Sequence, residues 1–267
     1  MHDFAFIFAG FAVGLIVGLT GVGGGSLMTP ILIFFFGVKP YLAVGTDLLF
    51  AAFTKMGGTV SLARQRLVPW RVVGQLCLGS IPAALLALWA LKELGPASAQ
   101  AQHIMTTTLG FALLLTATAT LYKVVVFSQK RQSEEQSLRA SSGPEALRPR
   151  HWSLPVLLGA AIGTLVTFTS VGAGAIGVTV LLLVYPLLPL PRIIGADIAY
   201  AVPLTLLAGL GHATLGSVDW PLLAQLLAGS LPGIWLGSRL VTRTPERLIR
   251  SLLSVLLAWA GAKLVLI

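Results

Sequence analysis

Two glycine-rich stretches are where the backbone of this 267-residue chain could itself hold a ligand: GVGGGSLMTP at 21–30 and SVGAGAIGVT at 170–179. A run of glycine resists helix and lets another group come close to the amides. Each run is followed by an apolar segment, as at the start of a helix. Ser26 stands at the cap position of the first. A helix that starts there offers unpaired N–H groups and a partial positive charge, a ready site for an anion. The candidate contacts are Gly21, Gly23, Gly24, Gly25 and Ser26 in the first loop, and Gly172, Gly174 and Ala175 in the second. Brought together from opposite faces, the two starts would form a central anion pocket.

Charged residues inside apolar sequence are the next candidates. Lys55, in FTKMGG, falls in the middle of an apolar segment, too deep to snorkel, so it should face protein or water. Its ammonium could meet an anionic substrate or pair with Asp47 or Asp197, and both readings stand open. Its counterpart in the second half is Thr205, so any contact made by the lysine is asymmetric. Asp47 and Asp197 are a matched pair near the starts of two helices, placed to cap free amides or to couple a proton. His212 is a third candidate for proton coupling, but its place close to a loop makes a solvated histidine the default. Gln75 and Gln225 also match. They could donate to an anion or join helices by hydrogen bonds. Trp70 and Trp220 read as anchors at the membrane interface. No paired-histidine metal motif and no nucleophile with a visible base stand in the sequence, so neither an enzyme, a metal site nor a cofactor is expected.

The elements that must position these residues are apolar. Hydrophobic residues make up 56% of the chain and charged residues 10%, against about 25% charged in an ordinary soluble domain. Apolar stretches of helix length follow one another, which predicts an all-α polytopic membrane protein. A β-barrel would need alternating ten-residue segments instead. Cys77 is the single cysteine, so no intramolecular disulfide can form. MHDFAFIFAG lacks a basic n-region and is not read as a cleaved signal peptide. The net charge of +9 would suggest nucleic acid in a soluble protein. Here the basic residues sit between apolar segments and speak for topology. The expected partners are a small anionic substrate and the lipid bilayer, with a homodimer left open and no nucleic acid.

In order, the expected segments are 4–20, with Gly10, Gly14 and Gly18 forming a smooth ridge; a short one at 26–36; 41–63; a fourth reaching Leu91, with Pro82 as a kink; and 104–127. RQRLVPWR at 64–71 is a loop and KELGPASAQAQH a polar turn. Residues 128–150 are polar and charged and read as a flexible cytoplasmic linker. The pattern then begins again. Gly159 and Gly163 repeat Gly10 and Gly14, and Val171, Gly172 and Gly174 repeat Val22, Gly23 and Gly25, at an offset of 159 − 10 = 149. At 197 − 47 = 150, Gly195, Asp197, Trp220, Gln225, Gly229, Ser230 and Pro232 repeat Gly45, Asp47, Trp70, Gln75, Gly79, Ser80 and Pro82. This is an internal duplication, with halves 1–127 and 151–267.

Threading the chain with Arg64, Arg66 and Arg71 inside leaves only Lys39, Lys92 and Lys263 outside, as the positive-inside rule asks. Both termini then lie outside. Five segments per half is odd, so the halves point opposite ways as an inverted repeat. At 1.5 Å per residue, the segments 26–36 and 175–185 span roughly 17 Å, short of a hydrocarbon core of about 30 Å. Each should form a hairpin with the helix before it, its glycine loop buried in the bilayer. A tight turn at the membrane surface is the other reading.

The residues in these places resemble a known family. GVGGGSLMTPILIFFFGVKPYLAVGTDLLFAAFTK is similar to the first signature of the sulfite exporter TauE/SafE family, and GHATLGSVDW followed by GSLPG resembles its second. The likeness covers nearly the whole chain apart from the linker and the last helix. It implies a bacterial inner-membrane permease for sulfur-containing anions such as sulfite, sulfoacetate and other organosulfonates. Two positions depart from the pattern: Tyr200 stands where ADIAHAVPLT has histidine, and RQRLVPW stands where VDW-like wording is common. Export of a small sulfur anion is the expected function. The alternatives are uptake of such anions or of another small organic anion, and a membrane scaffold or assembly factor that transports nothing.

Overall fold

The computed structural model describes residues 2–20, 25–137, 153–172, 174–240 and 246–265. The helices are α1 (His2–Thr20), α2 (Gly25–Phe36), α3 (Pro40–Arg64), α4 (Trp70–Leu94), α5 (Ala99–Ser137), α6 (Leu154–Thr169), α7 (Ala175–Val184), α8 (Leu190–Thr214), α9 (Trp220–Leu240) and α10 (Glu246–Val265). No strand occurs among the described residues.

Two boundaries differ from expectation. α5 begins at Ala99 rather than near Ile104, because the Ser98 hydroxyl caps it by accepting from the Ala101 N–H at 3.1 Å. It also runs to Ser137, ten residues past Phe127, into the stretch read as linker. SQKRQSEEQS is polar but rich in Lys, Arg, Glu and Gln, which extend a helix at little cost. Residues 138–150 of that stretch lie outside the described residues. α4 continues through Pro82, and α9 through Pro232.

Bare backbone holds the helices together. α1 packs on α9 and α4 on α6, while α5 pairs with α10 and α3 with α8 in the middle. A Cβ added to Gly10 would stand 2.3 Å from the Leu226 carbonyl oxygen, and one on Gly14 2.4 Å from that of Ser230. In the matching pair, Gly159 meets Leu76 at 2.3 Å and Gly163 meets Ser80 at 2.5 Å. These are the close approaches that small residues permit between helices in lipid, where no hydrophobic force drives association.

Gly79→Ala should therefore force α4 from α6, since its Cβ would lie 1.9 Å from the Val156 carbonyl oxygen. A loss of about 1–3 kcal/mol is expected, read as a lower Tm in detergent. Gly74→Ala, with nothing within 4 Å, is the control and should not lower it. Equal Tm values for the two would contradict this packing.

Two apolar cores flank α3. One joins Val72 and Leu76 of α4, Ile162 and Val166 of α6, and Leu181 of α7. The other joins Val13, Leu32, Leu113, Leu226 and Leu257. The outside is also apolar: Phe4, Phe8, Leu78, Trp89, Phe111, Leu157, Leu231 and Trp235 are exposed. Such a surface suits lipid chains and not water. α4, the Ala99–Leu121 part of α5, and α8 are long and apolar enough to cross a membrane. Trp70 and Trp220 are exposed at the starts of α4 and α9, as interface anchors would be.

Candidate anion site at the start of the short helices

α6 stops inside the protein. Ser170 takes the left-handed conformation (φ 59°) and its N–H closes on the Val166 carbonyl at 2.7 Å. The Thr169 hydroxyl accepts from the Val171 N–H at 3.1 Å and pins the turn. Gly172 (φ 133°) and Gly174 (φ 141°) then adopt backbone angles that side chains rarely allow. α7 starts directly after them. Val171, Gly172 and Gly174 are all buried, so this is non-helical backbone packed within protein. With ten residues α7 is about 15 Å long. The first turn leaves N–H groups with no partner in the helix, though that of Gly177 donates back to the Gly172 carbonyl at 3.1 Å.

Gly21, Gly23 and Gly24 lie outside the described residues. Gly25 and Ser26 are the first two residues of α2, a helix of twelve residues, about 18 Å long. What can be followed is Thr29 of α2, whose hydroxyl donates to Asp47 Oδ2. Ser170, from the second loop, lies close to the same carboxylate but outside hydrogen-bond geometry, and Asp47 Oδ1 and Ser170 Oγ are both buried without a partner. Elements from the two halves thus meet at Asp47.

Asp47 and Asp197 each stand at the eighth position of their helices, past the point where they could cap them. They reach sideways instead, Asp47 to Thr29 of α2 and Asp197 to the first turn of α7. A Cβ on Gly177 would lie 1.9 Å from Asp197 Oδ1. Lys55 is buried, and its charge interacts with Asp197 first and Asp47 second. The centre thus holds two carboxylates and one ammonium around the starts of two short helices.

One expected residue is placed differently, and the two glutamines can be placed on their helices. His212 is fully buried rather than solvated. Its Nε2–H donates to the Thr167 carbonyl at 3.0 Å, and Nδ1 has no partner. The chain after α8 folds back through the Ser217 N–H onto the His212 carbonyl at 2.9 Å. Gln75 accepts from the Tyr185 hydroxyl at 2.6 Å. Tyr185 follows the last residue of α7, a helix length of about 15 Å from its start, so Gln75 joins α4 to the far end of α7 and is not a donor at the loop. Gln225 is half-buried at the matching place on α9. Thr29, Ser170 and the buried Tyr200 are the polar groups near the centre that were not candidates. Thr29 sits within the glycine motif itself, which was the available signal. No group of three or more His, Cys, Asp or Glu that could hold a metal occurs among the described residues.

Helical throughout its described residues, with an apolar exterior and charged groups buried where short helices begin, the chain has the build of a membrane protein, and its family and relatives make it one of the transporter class. The chain belongs to the sulfite exporter TauE/SafE family, whose model matches residues 6–264. It is 36% identical over 260 residues to the probable membrane transporter protein YjnA of Bacillus subtilis, covering 97% of this chain and 98% of that one. It is 25% identical over 251 residues to the probable membrane transporter protein YdhB of the same organism, covering 94% and 95%. No solved structure matches it.

Proposed function

We propose that this transporter moves a small sulfur-containing anion (sulfite, sulfoacetate or another organosulfonate) outward across the bacterial inner membrane. The observation that carries this is the start of α7: a helix N-terminus inside the protein, behind a buried loop, linked through Asp197 to the buried Lys55. Helix amides and an ammonium in a place poor in water are strong ligands for an anion. The family's description as sulfite exporters supports the sulfur anion. An inside-negative potential favours anion exit by about 2.3 kcal/mol per charge per 100 mV.

We read the scaffold as a multi-pass inverted repeat of two five-helix halves. Its support is register: α3 and α8 start at 190 − 40 = 150 residues apart, as do α4 and α9 at 220 − 70 = 150. The Gly10–Leu226 and Gly159–Leu76 contacts also correspond. The carboxylates favour a linked proton. With Asp47 and Asp197 both ionised, Lys55 leaves the centre at −1, and an arriving anion meets repulsion. A proton on either aspartate removes it.

Proteoliposomes loaded with radiolabelled sulfite or sulfoacetate should release them through this protein. No flux of any sulfur anion in several lipids would favour the scaffold reading. For topology, cysteines placed at Ser98 and Ser141 in a Cys77→Ser background should be labelled from outside and from the cytoplasm respectively. Labelling of Ser98→Cys only from the cytoplasm would overturn the inverted threading.

A further inference from the structure

Tyr200 is on α8, three residues after Asp197 and fully buried. Its ring lies in the core that includes Val178 and Leu181 of α7. Its hydroxyl has no hydrogen-bond partner. Buried phenols normally find one, and an unmet donor in a dry interior is unfavourable. The direction of this hydroxyl is informative. It lies 3.5 Å from the point where a side chain at Gly177 would begin, the same point that Asp197 Oδ1 approaches. Because residue 177 is glycine, the Asp197 carboxylate and the Tyr200 hydroxyl can both come up to the first turn of α7. A helix start and an unused donor aimed at its first turn coincide.

We propose that Tyr200 binds substrate, its hydroxyl donating a hydrogen bond to one oxygen of the oxyanion held at the start of α7. This rests on the function proposed above and adds a specificity to it. The helix amides, the Lys55 ammonium and the Tyr200 hydroxyl are three separate donors, and a sulfite or sulfonate head has an oxygen for each. A halide, a single sphere, meets the amides or the phenol but has no separate oxygens to offer all three. The phenol adds direction without charge, so it selects shape beside two carboxylates that already limit how much negative charge the centre accepts.

The test is Tyr200→Phe in the purified full-length protein, with sulfite and sulfoacetate as probes. The substitution removes one oxygen and keeps the ring. Without ligand, the variant should melt at the wild-type temperature or above it, since an unmet donor has gone. Its affinity for both probes should fall about tenfold or more, as expected for a hydrogen bond to a charged group, and the ligand-induced rise in Tm should shrink with it. Tyr200→His, which returns a donor to the position, should recover part of the affinity. It also serves if the Phe variant does not fold. Variants that bind both probes within twofold of wild type would overturn the proposal and leave Tyr200 a core residue, with the transport reading intact. A wild-type protein that binds neither probe would bring down the transport reading, and this one with it.

Discussion

Gly172→Ala is expected to abolish transport while leaving the protein folded. Space is not the main obstacle: an added Cβ would sit 3.2 Å from Val166 Cγ2, which must give by a few tenths of an ångström, and 3.4 Å from Leu165 Cδ2, an ordinary contact. The obstacle is its φ of 133°, an angle that costs a side-chain-bearing residue about 1–3 kcal/mol. The chain can relieve that strain by turning the peptide, which moves the Gly172 carbonyl off the Gly177 N–H and re-aims the first turn of α7. A misdirected amide binds an anion no better than water does. Sulfoacetate affinity should drop at least about tenfold, equivalent to 1.4 kcal/mol. Binding within twofold of wild type, in a protein with normal Tm, would mean that the start of α7 is not the site.

Lys55→Ala should have the largest effect on stability of any single change at the centre. It leaves the buried Asp197 and Asp47 without their compensating charge, and breaking such a set costs about 3–5 kcal/mol. A lower Tm from this variant therefore says nothing by itself about substrate. The informative protein is Lys55→Ala with Asp197→Asn, in which one positive and one negative charge leave together. It should regain most of the lost Tm yet stay inactive in the flux assay. Lys55→Arg keeps the charge in a planar, bulkier group and should restore transport only in part. If the double variant exports sulfite at the wild-type rate, the ammonium serves the carboxylates alone.

What could be read beforehand was whatever the local sequence decides. The short helices α2 and α7 were legible because an apolar run of that length cannot span a bilayer, and because glycines mark where each must begin. The α1 ridge was legible because Gly10 and Gly14 fall on one helical face. What failed depended on contacts from afar. His212 looked solvated because the sequence does not say that α6 comes to its ring through the Thr167 carbonyl. For Gln75 the sequence left two roles open, anion donor or helix-joining bond, because its repeat position says nothing about which end of α7 it faces. Residues 128–137 are polar, which reads as linker, while their Lys, Arg, Glu and Gln also suit the helix they form. Tyr200 stood out only as a departure from a pattern. Its interest lies in a hydroxyl with nothing to bond, which no sequence displays.

The packing of α1 against α9 sets a timetable for synthesis. Leu226, which Gly10 meets, is synthesised 226 − 10 = 216 residues after it. At about 5–20 residues per second, the bare face of α1 waits roughly 10–40 s for the helix that covers it. α4 faces a shorter wait, since Leu76 is met by Gly159 after 159 − 76 = 83 residues. Neither contact is made within one half of the chain. A ribosome that stops just after α5 leaves the glycine face of α1 and its counterpart surface on α4 uncovered, because α9 and α6 are still to come.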